Sequence, residues 1–147
     1  MTSWESQSAL FKSVHERHGR IDIVVANAGI VERKEFLDES TTSDGELAAP
    51  DLSVLDVNLV GCMYTGKLAL WWFKKNPTPG GALVLISSVG GYSDGIRLGR
   101  PYLMTGKGIT LYKASKHGVI GFLRGIKHYM PEANSHVVAI APWMTKT

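Results

Sequence analysis

The sequence has a single cysteine, Cys62, among its 147 residues, and it contains no long apolar run. One cysteine cannot form an intrachain disulfide, which favours a reducing compartment, so the expected localisation is cytoplasmic. No apolar run approaches the length that spans a bilayer, and the polar N-terminus lacks the apolar core of a signal peptide. These absences argue against a membrane protein and against a secreted, disulfide-bonded scaffold.

The charged residues and the histidines do not form a binding pattern. The formal net charge is +3 and the pI is about 9.0, but lysine and arginine are scattered, with only short pairs such as Lys74-Lys75. A nucleic-acid groove needs a basic stripe interleaved with aromatic residues, so no nucleic-acid partner is predicted. His15 and His18 fall near the end of a predicted helix, where the helix dipole favours polar and positive side chains. No metal site is predicted from them.

Three short, continuous apolar runs predict the strands of the fold. They cover Ile21–Ala26, Ala82–Ile86 and Val137–Ala141, and each is typical of a strand that is buried on both faces. The segments between them have helical character, so the order is strand, helix, strand, helix, strand. This alternation predicts an α/β protein with a parallel sheet and helices on both faces.

The helix boundaries can also be predicted from local signals. Thr2 and Glu5 read as a capping box for a first helix, and Gly19 suits the end of that helix. Apolar and small residues recur at close to the helical period after the loop that follows the first strand. They predict a second, long helix that begins near Asp51 and runs toward Lys75.

Polar or glycine residues follow each predicted strand. The first strand ends in Asn27-Ala28-Gly29, the second in Ser87-Ser88-Val89-Gly90-Gly91, and the third in Pro142-Trp143. The carboxyl ends of parallel strands meet at one edge of a sheet, and ligands of open α/β sheets bind there. The start of the helix that carries Tyr112 is expected at the same edge.

Tyr112 and Lys116 form the pair with the most chemical content in the chain. Residues four apart share a helix face, with Cβ atoms about 5–6 Å apart. A lysine ammonium so close to a phenol favours the phenolate, and the phenol can then donate or accept a proton during a reaction. The same spacing also occurs on solvated helix faces, so the pair gains its meaning from the predicted sheet edge beside it.

These residues together resemble the classical short-chain dehydrogenase/reductase family. The motifs that carry the resemblance, in chain order, are Asn27-Ala28-Gly29, Asn58, Ser88, the Tyr112/Lys116 pair, and Pro142 with Thr147, where Trp143 replaces the usual glycine. Around the tyrosine, His117-Gly118 and Gly121-Phe122 are closest to the branch that includes 15-hydroxyprostaglandin dehydrogenase and its fungal relatives. The resemblance covers almost the whole chain.

The resemblance implies hydride transfer between a nicotinamide cofactor, NAD or NADP, and a secondary alcohol or ketone. Tyr112 would transfer the proton, and Ser88 would hydrogen-bond the same substrate oxygen. Lys116 would promote the phenolate and hold the nicotinamide ribose, and Asn58 would connect Lys116 to a water chain. The implied cofactor-binding residues are Asn27, Ala28, Gly29, Tyr112, Lys116, Pro142 and Thr147.

The resemblance also implies that parts of the family fold are missing. No Gly-x-x-x-Gly-x-Gly turn precedes the first predicted strand, although such a turn seats the cofactor pyrophosphate. Residues 1–147 are therefore expected to form an incomplete, Rossmann-like NAD(P)-binding domain that is truncated at both ends. This chain by itself is expected to be weakly active or inactive, whereas the complete protein is expected to be a homo-oligomer that acts on a small-molecule alcohol or ketone, without a membrane partner.

Two questions stay open at this point. The alternative to an enzyme is a catalytically inactive fragment that retains only the dimerisation helices. The resemblance identifies these as the helices that carry Asn58 and Tyr112. The stretch between Ser88 and Tyr112 is also longer than the family usually has. That stretch could border the substrate pocket, or it could come from misassigned coding sequence.

Overall fold

A computed structural model describes residues 1–92 and 108–143 of the chain. Its elements are, in order, α1 (Trp4–His18), β1 (Ile23–Ala26), α2 (Ser53–Leu55), a π-helical turn (Asp56–Val60), α3 (Gly61–Phe73), β2 (Gly81–Ile86), a 3₁₀ turn (Val89–Gly91), α4 (Thr110–Ile126), a second 3₁₀ turn (Pro131–Ala133) and β3 (Ser135–Ile140). Thr147 and most of the stretch between Ser88 and Tyr112 lie outside the described residues. Within the described ranges, no helix is long and apolar enough to cross a membrane.

The three predicted strands form the predicted parallel sheet. Its order is β1-β2-β3, and both strand pairs are parallel. Val24 lies beside Leu83, and Leu83 lies beside Val137. Each strand begins within two residues of its predicted start, because the runs of apolar β-formers that end at turn residues define the strands. The Rossmann-like fold class is therefore confirmed.

One face of the sheet holds the core. Alternate residues of β1 and β2 contribute Val24, Ala26, Leu83 and Leu85 to this core. The helices α1, α3 and α4 contribute Phe11, Phe73 and Val119. Successive side chains of a strand point to opposite faces, so Ile23, Val25 and Val138 lie on the other face. They are 69%, 51% and 52% exposed. Within the described residues, the helices therefore cover one face of the sheet. The other face, where the sequence also predicted helices, is open in the same part of the chain.

The ends of α1 follow the predicted pattern with one correction. The N-cap is Ser3 and not Thr2, because Ser3 has the extended backbone of a cap and its Oγ accepts the N–H of Ser6 at 3.1 Å. The predicted capping box was therefore one residue too early. Gly19 ends the helix as predicted: it has a φ of 75°, and its N–H donates to the carbonyl of His15 at 2.7 Å. That left-handed conformation favours glycine.

The long second helix is real but interrupted. It begins at Ser53, whose N–H donates to the Asp51 carboxylate at 2.9 Å. A π-helical turn follows, in which the N–H of Gly61 donates to the carbonyl of Asp56. Gly118 of α4 packs against this turn, where a Cβ would lie 2.7 Å from Leu59 Cδ2. Glycine at this position therefore permits the close approach of α4.

Candidate active site

Tyr112 and Lys116 lie on the first turns of α4 and face the carboxyl end of β2. The Lys116 ammonium nitrogen is 5.6 Å from the centroid of the Tyr112 ring, so the two side chains share one helix face as predicted. Lys116 is only 4% exposed. Its Nζ donates to the carbonyl of Ile86 at 2.8 Å, so the last residue of β2 fixes the position of the ammonium.

Burial is the main influence on the pKa of Lys116. Burial lowers the pKa of Lys116, because it disfavours the charged ammonium. The neighbouring Cys62 is buried as well, and burial raises the pKa of its thiol to about 11. Cys62 is thus a neutral thiol near pH 7 and adds no charge next to Lys116.

Ser88 Oγ and the Tyr112 ring both lie close to Gly90. The backbone of Ser88 is extended, and its Oγ accepts the N–H of Gly90 at 3.1 Å. A Cβ on Gly90 would lie 3.5 Å from Ser88 Oγ and 3.8 Å from Tyr112 Cε1. The serine hydroxyl and the edge of the tyrosine ring therefore flank the same point. A hydroxyl has one O–H and two lone pairs, so the bond from Gly90 leaves the O–H available to a third group.

Asn58 lies at the centre of the π-helical turn and is 2% exposed. Its Oδ1 accepts the N–H of Ile30 at 2.8 Å, and its Nδ2 donates to the carbonyl of the same residue at 2.9 Å. Nδ2 also donates to Ser115 Oγ on α4 at 3.1 Å. The amide thus ties the loop after β1 to α4. Isolated π-turns occur frequently at functional sites.

The other predicted cofactor residues lie at the same sheet edge. Asn27, Ala28 and Gly29 directly follow β1 and are exposed. A Cβ on Gly29 would lie 3.4 Å from Asn58 Oδ1 and 3.5 Å from Lys116 Nζ. After β3, the carbonyl of Pro142 accepts the N–H of Val89 at 3.2 Å, next to Ser88. Thr147 lies outside the described residues, so its predicted role stays a prediction.

Sequence reasoning missed two residues that hold α4 against β2. Ser87 Oγ donates to the backbone carbonyl of Lys116 at 3.1 Å. A Cβ on Gly91 would lie 2.7 Å from the same carbonyl oxygen. The signal was the double serine followed by a double glycine, of which only Ser88 had been given a role. Ser87 and Gly91 let the helix backbone approach the turn after β2 closely.

Sequence reasoning also missed Glu32. Its carboxylate accepts the backbone N–H groups of Leu111 and Tyr112 at the start of α4. The available signal was Ile109, which precedes the helix and has no polar side chain to cap it. A helix with an apolar residue at its N-cap needs a hydrogen-bond acceptor for its first N–H groups from elsewhere in the fold. An acidic residue at the same sheet edge is the natural candidate for that acceptor.

The site therefore combines three chemical capacities around one point. Tyr112 can donate or accept a proton, Ser88 can donate a hydrogen bond, and Lys116 supplies a positive charge behind the tyrosine. Such a set can transfer a proton at an oxygen atom and stabilise charge on it. In the part of the chain that the structure describes, no three His, Cys, Asp or Glu side chains lie together as metal ligands would.

Known short-chain dehydrogenases resemble the chain over its whole length. The family model described as short chain dehydrogenase matches residues 1–147. A short-chain dehydrogenase/reductase of Acremonium egyptiacum, ascJ, is 35% identical over 151 residues, which cover 100% of this chain and 47% of the relative. The 5'-hydroxyaverantin dehydrogenase of Dothistroma septosporum is 34% identical over 161 residues, which cover 100% of this chain and 49% of the relative.

A solved structure shows the same fold. The crystal structure of a short chain dehydrogenase from Mycobacterium smegmatis superposes with a TM-score of 0.73 at 27% sequence identity. The match covers 96% of this chain and 51% of that structure. The chain thus spans about half the length of the relatives that it matches.

Proposed function

The chain belongs to the short chain dehydrogenase family, and from this premise we propose that it carries the catalytic wall of an NAD- or NADP-dependent oxidoreductase. The reaction is hydride transfer between the nicotinamide and a secondary alcohol or ketone. The observation that carries the proposal is that Ser88 Oγ and the Tyr112 ring both lie close to Gly90. The Lys116 ammonium lies 5.6 Å from the centroid of the same ring. One relative is named as the dehydrogenase of a hydroxylated compound, 5'-hydroxyaverantin.

The chemistry at the substrate oxygen is assigned to Ser88 and Tyr112. During oxidation Tyr112 takes the proton of the alcohol, and during reduction it returns a proton to the same oxygen. Ser88 donates its O–H to that oxygen and orients it, while the N–H of Gly90 holds the serine from the other side at 3.1 Å. Donors that are fixed before the reaction stabilise charge without a further cost of reorganisation.

Lys116 has the donors that a nicotinamide ribose requires. An ammonium has three N–H groups, and within the described residues one of them is bonded, to Ile86. The other two would hold the adjacent hydroxyls of the ribose. When bound, the nicotinamide supplies the hydride chemistry that no side chain provides.

The remaining parts of the proposal concern the cofactor side and the whole protein. Asn27, Ala28, Gly29 and Pro142 would border the cofactor, and Asn58 would connect Lys116 to solvent through water. We place residues 1–147 in the central and catalytic part of an NAD(P)-binding domain. The whole protein is proposed to be a cytoplasmic homo-oligomer that acts on a small-molecule alcohol or ketone.

A chimera tests this function, since the chain spans about half of its relatives. Residues 1–147 replace the matching segment of the Acremonium egyptiacum relative, and NADH and NADPH are followed by absorbance with a panel of secondary alcohols and ketones. We expect turnover with at least one cofactor, and the ratio of the two rates gives the cofactor preference. A chimera that folds but turns over no member of the panel, while the parent protein is active, would contradict the proposal.

A further inference from the structure

The helix that carries Tyr112 begins without a local cap. Ile109 occupies the N-cap position of α4, and no side chain of that residue caps the helix. The first N–H groups of a helix have no partners inside the helix. In most helices a Ser, Thr, Asp or Asn at the N-cap accepts one of them. The 17-residue helix α4 must therefore obtain its acceptors from elsewhere in the fold.

Glu32 supplies these acceptors from the loop after β1. One carboxylate oxygen accepts the N–H of Leu111, and the other accepts the N–H of Tyr112 at 3.2 Å. These are the second and third residues of the helix, which are the positions that an N-cap side chain serves. A negative charge at this end is also favoured by the helix dipole. Among the described residues Glu32 forms no ion pair, so both oxygens serve the helix.

The loop that presents Glu32 is itself fixed. Ile30, two residues earlier, exchanges two hydrogen bonds with the side-chain amide of Asn58. Asn58 in turn donates to Ser115 on α4. The loop thus joins two points of α4, one at its first turn through Glu32 and one near Lys116 through Asn58.

We propose that Glu32 is a positioning residue that holds the first turn of α4, so that the Tyr112 ring stays beside Ser88 Oγ. The bond to the backbone N–H of Tyr112 acts on the residue whose ring must meet the substrate. Loss of the carboxylate frees that turn and lets the ring move away from Ser88. The structural part of the proposal stands on the hydrogen bonds alone, and its catalytic consequence rests on the proposed function.

The structural part is tested on the 147-residue chain by residue-resolved hydrogen exchange of Glu32→Ala and Glu32→Gln. We expect the amides of Leu111 and Tyr112 to exchange about 5- to 30-fold faster in Glu32→Ala, which corresponds to the loss of a helix cap. Glu32→Gln keeps one carbonyl acceptor and should show a smaller increase. Glu39→Ala is the matched control, because Glu39 is an exposed acid of the same loop. Unchanged exchange of both amides in Glu32→Ala would overturn the proposal.

The catalytic consequence is tested in the chimera. Glu32→Ala should lower kcat about 10-fold or more, because a displaced Tyr112 ring is poorly placed for proton transfer. The KM for the nicotinamide should be unchanged, because Lys116 keeps its bond to Ile86. Glu32→Gln should restore part of kcat, whereas Glu39→Ala should leave both constants unchanged. Faster exchange together with an unchanged kcat would refute the positioning role. If the unmodified chimera shows no turnover, the proposed function fails, whereas hydrogen exchange still decides the role of Glu32.

Discussion

Asn58→Ala should destabilise the 147-residue chain by about 2–3 kcal/mol. The substitution removes three hydrogen bonds, two to the backbone of Ile30 and one to Ser115 Oγ. A hydrogen bond contributes about 1 kcal/mol net, and more if a buried partner is left unsatisfied. Ser115 is fully buried, whereas Ile30 is 41% exposed. Water can therefore replace part of the loss at Ile30, and this places the total near 2–3 kcal/mol and not higher.

Urea unfolding followed by far-UV circular dichroism measures this effect. Asp56→Ala is the matched control, because Asp56 lies in the same π-helical turn and is exposed. Surface substitutions of this kind usually change stability by less than about 0.5 kcal/mol. If Asn58→Ala were as stable as Asp56→Ala, the amide would not hold the loop after β1 against α4, and the role given to this residue would be wrong.

Three further predictions follow from the same structure. Burial raises the folded-state pKa of Cys62 to about 11 from 9.0, so the contribution of this thiol to stability is complete below pH 9 and is lost as the pH rises to 11. Relative to Cys62→Ala, the wild-type chain should therefore lose about 2–3 kcal/mol of unfolding free energy across this window, measured by urea unfolding at fixed pH. Parallel curves of unfolding free energy against pH for the two proteins would contradict this. Isothermal titration of the 147-residue chain should show only weak binding of NAD and NADP, since residues 1–22 contain no Gly-x-x-x-Gly-x-Gly turn, and micromolar affinity would refute that expectation. In the chimera, Lys116→Ala should lower kcat and raise the KM for the nicotinamide, because one side chain serves both tasks; a change in only one constant would remove one of the two roles.

The sequence predicted the sheet because its signals are local. The apolar runs of β1, β2 and β3 end at asparagine, serine or proline, and both strands and turns are encoded by neighbouring residues. The Tyr112/Lys116 pair was predictable for the same reason, since a helical spacing of four places both on one face. The position of Ser88 relative to this pair followed from the parallel topology.

The contacts that hold the site together were not predictable in the same way. The bonds from Glu32 to the start of α4 connect residues nearly 80 positions apart, and nothing in the local sequence of Glu32 indicates them. The π-helical turn around Asn58 depends on tertiary contacts of its amide with Ile30 and Ser115. The error of one residue at the N-cap of α1 has a local cause, because Thr2 and Ser3 are both good caps and only the backbone decides between them.

The most direct test of the account is the kinetics of Tyr112→Phe in the chimera. The substitution removes the hydroxyl and keeps the ring, so the packing beside Ser88 and Lys116 is retained. We expect kcat to fall by several orders of magnitude, with little change in the dissociation constant of the nicotinamide, since only the proton-transfer group is lost. Retention of most of the activity in Tyr112→Phe would contradict the assignment of the site.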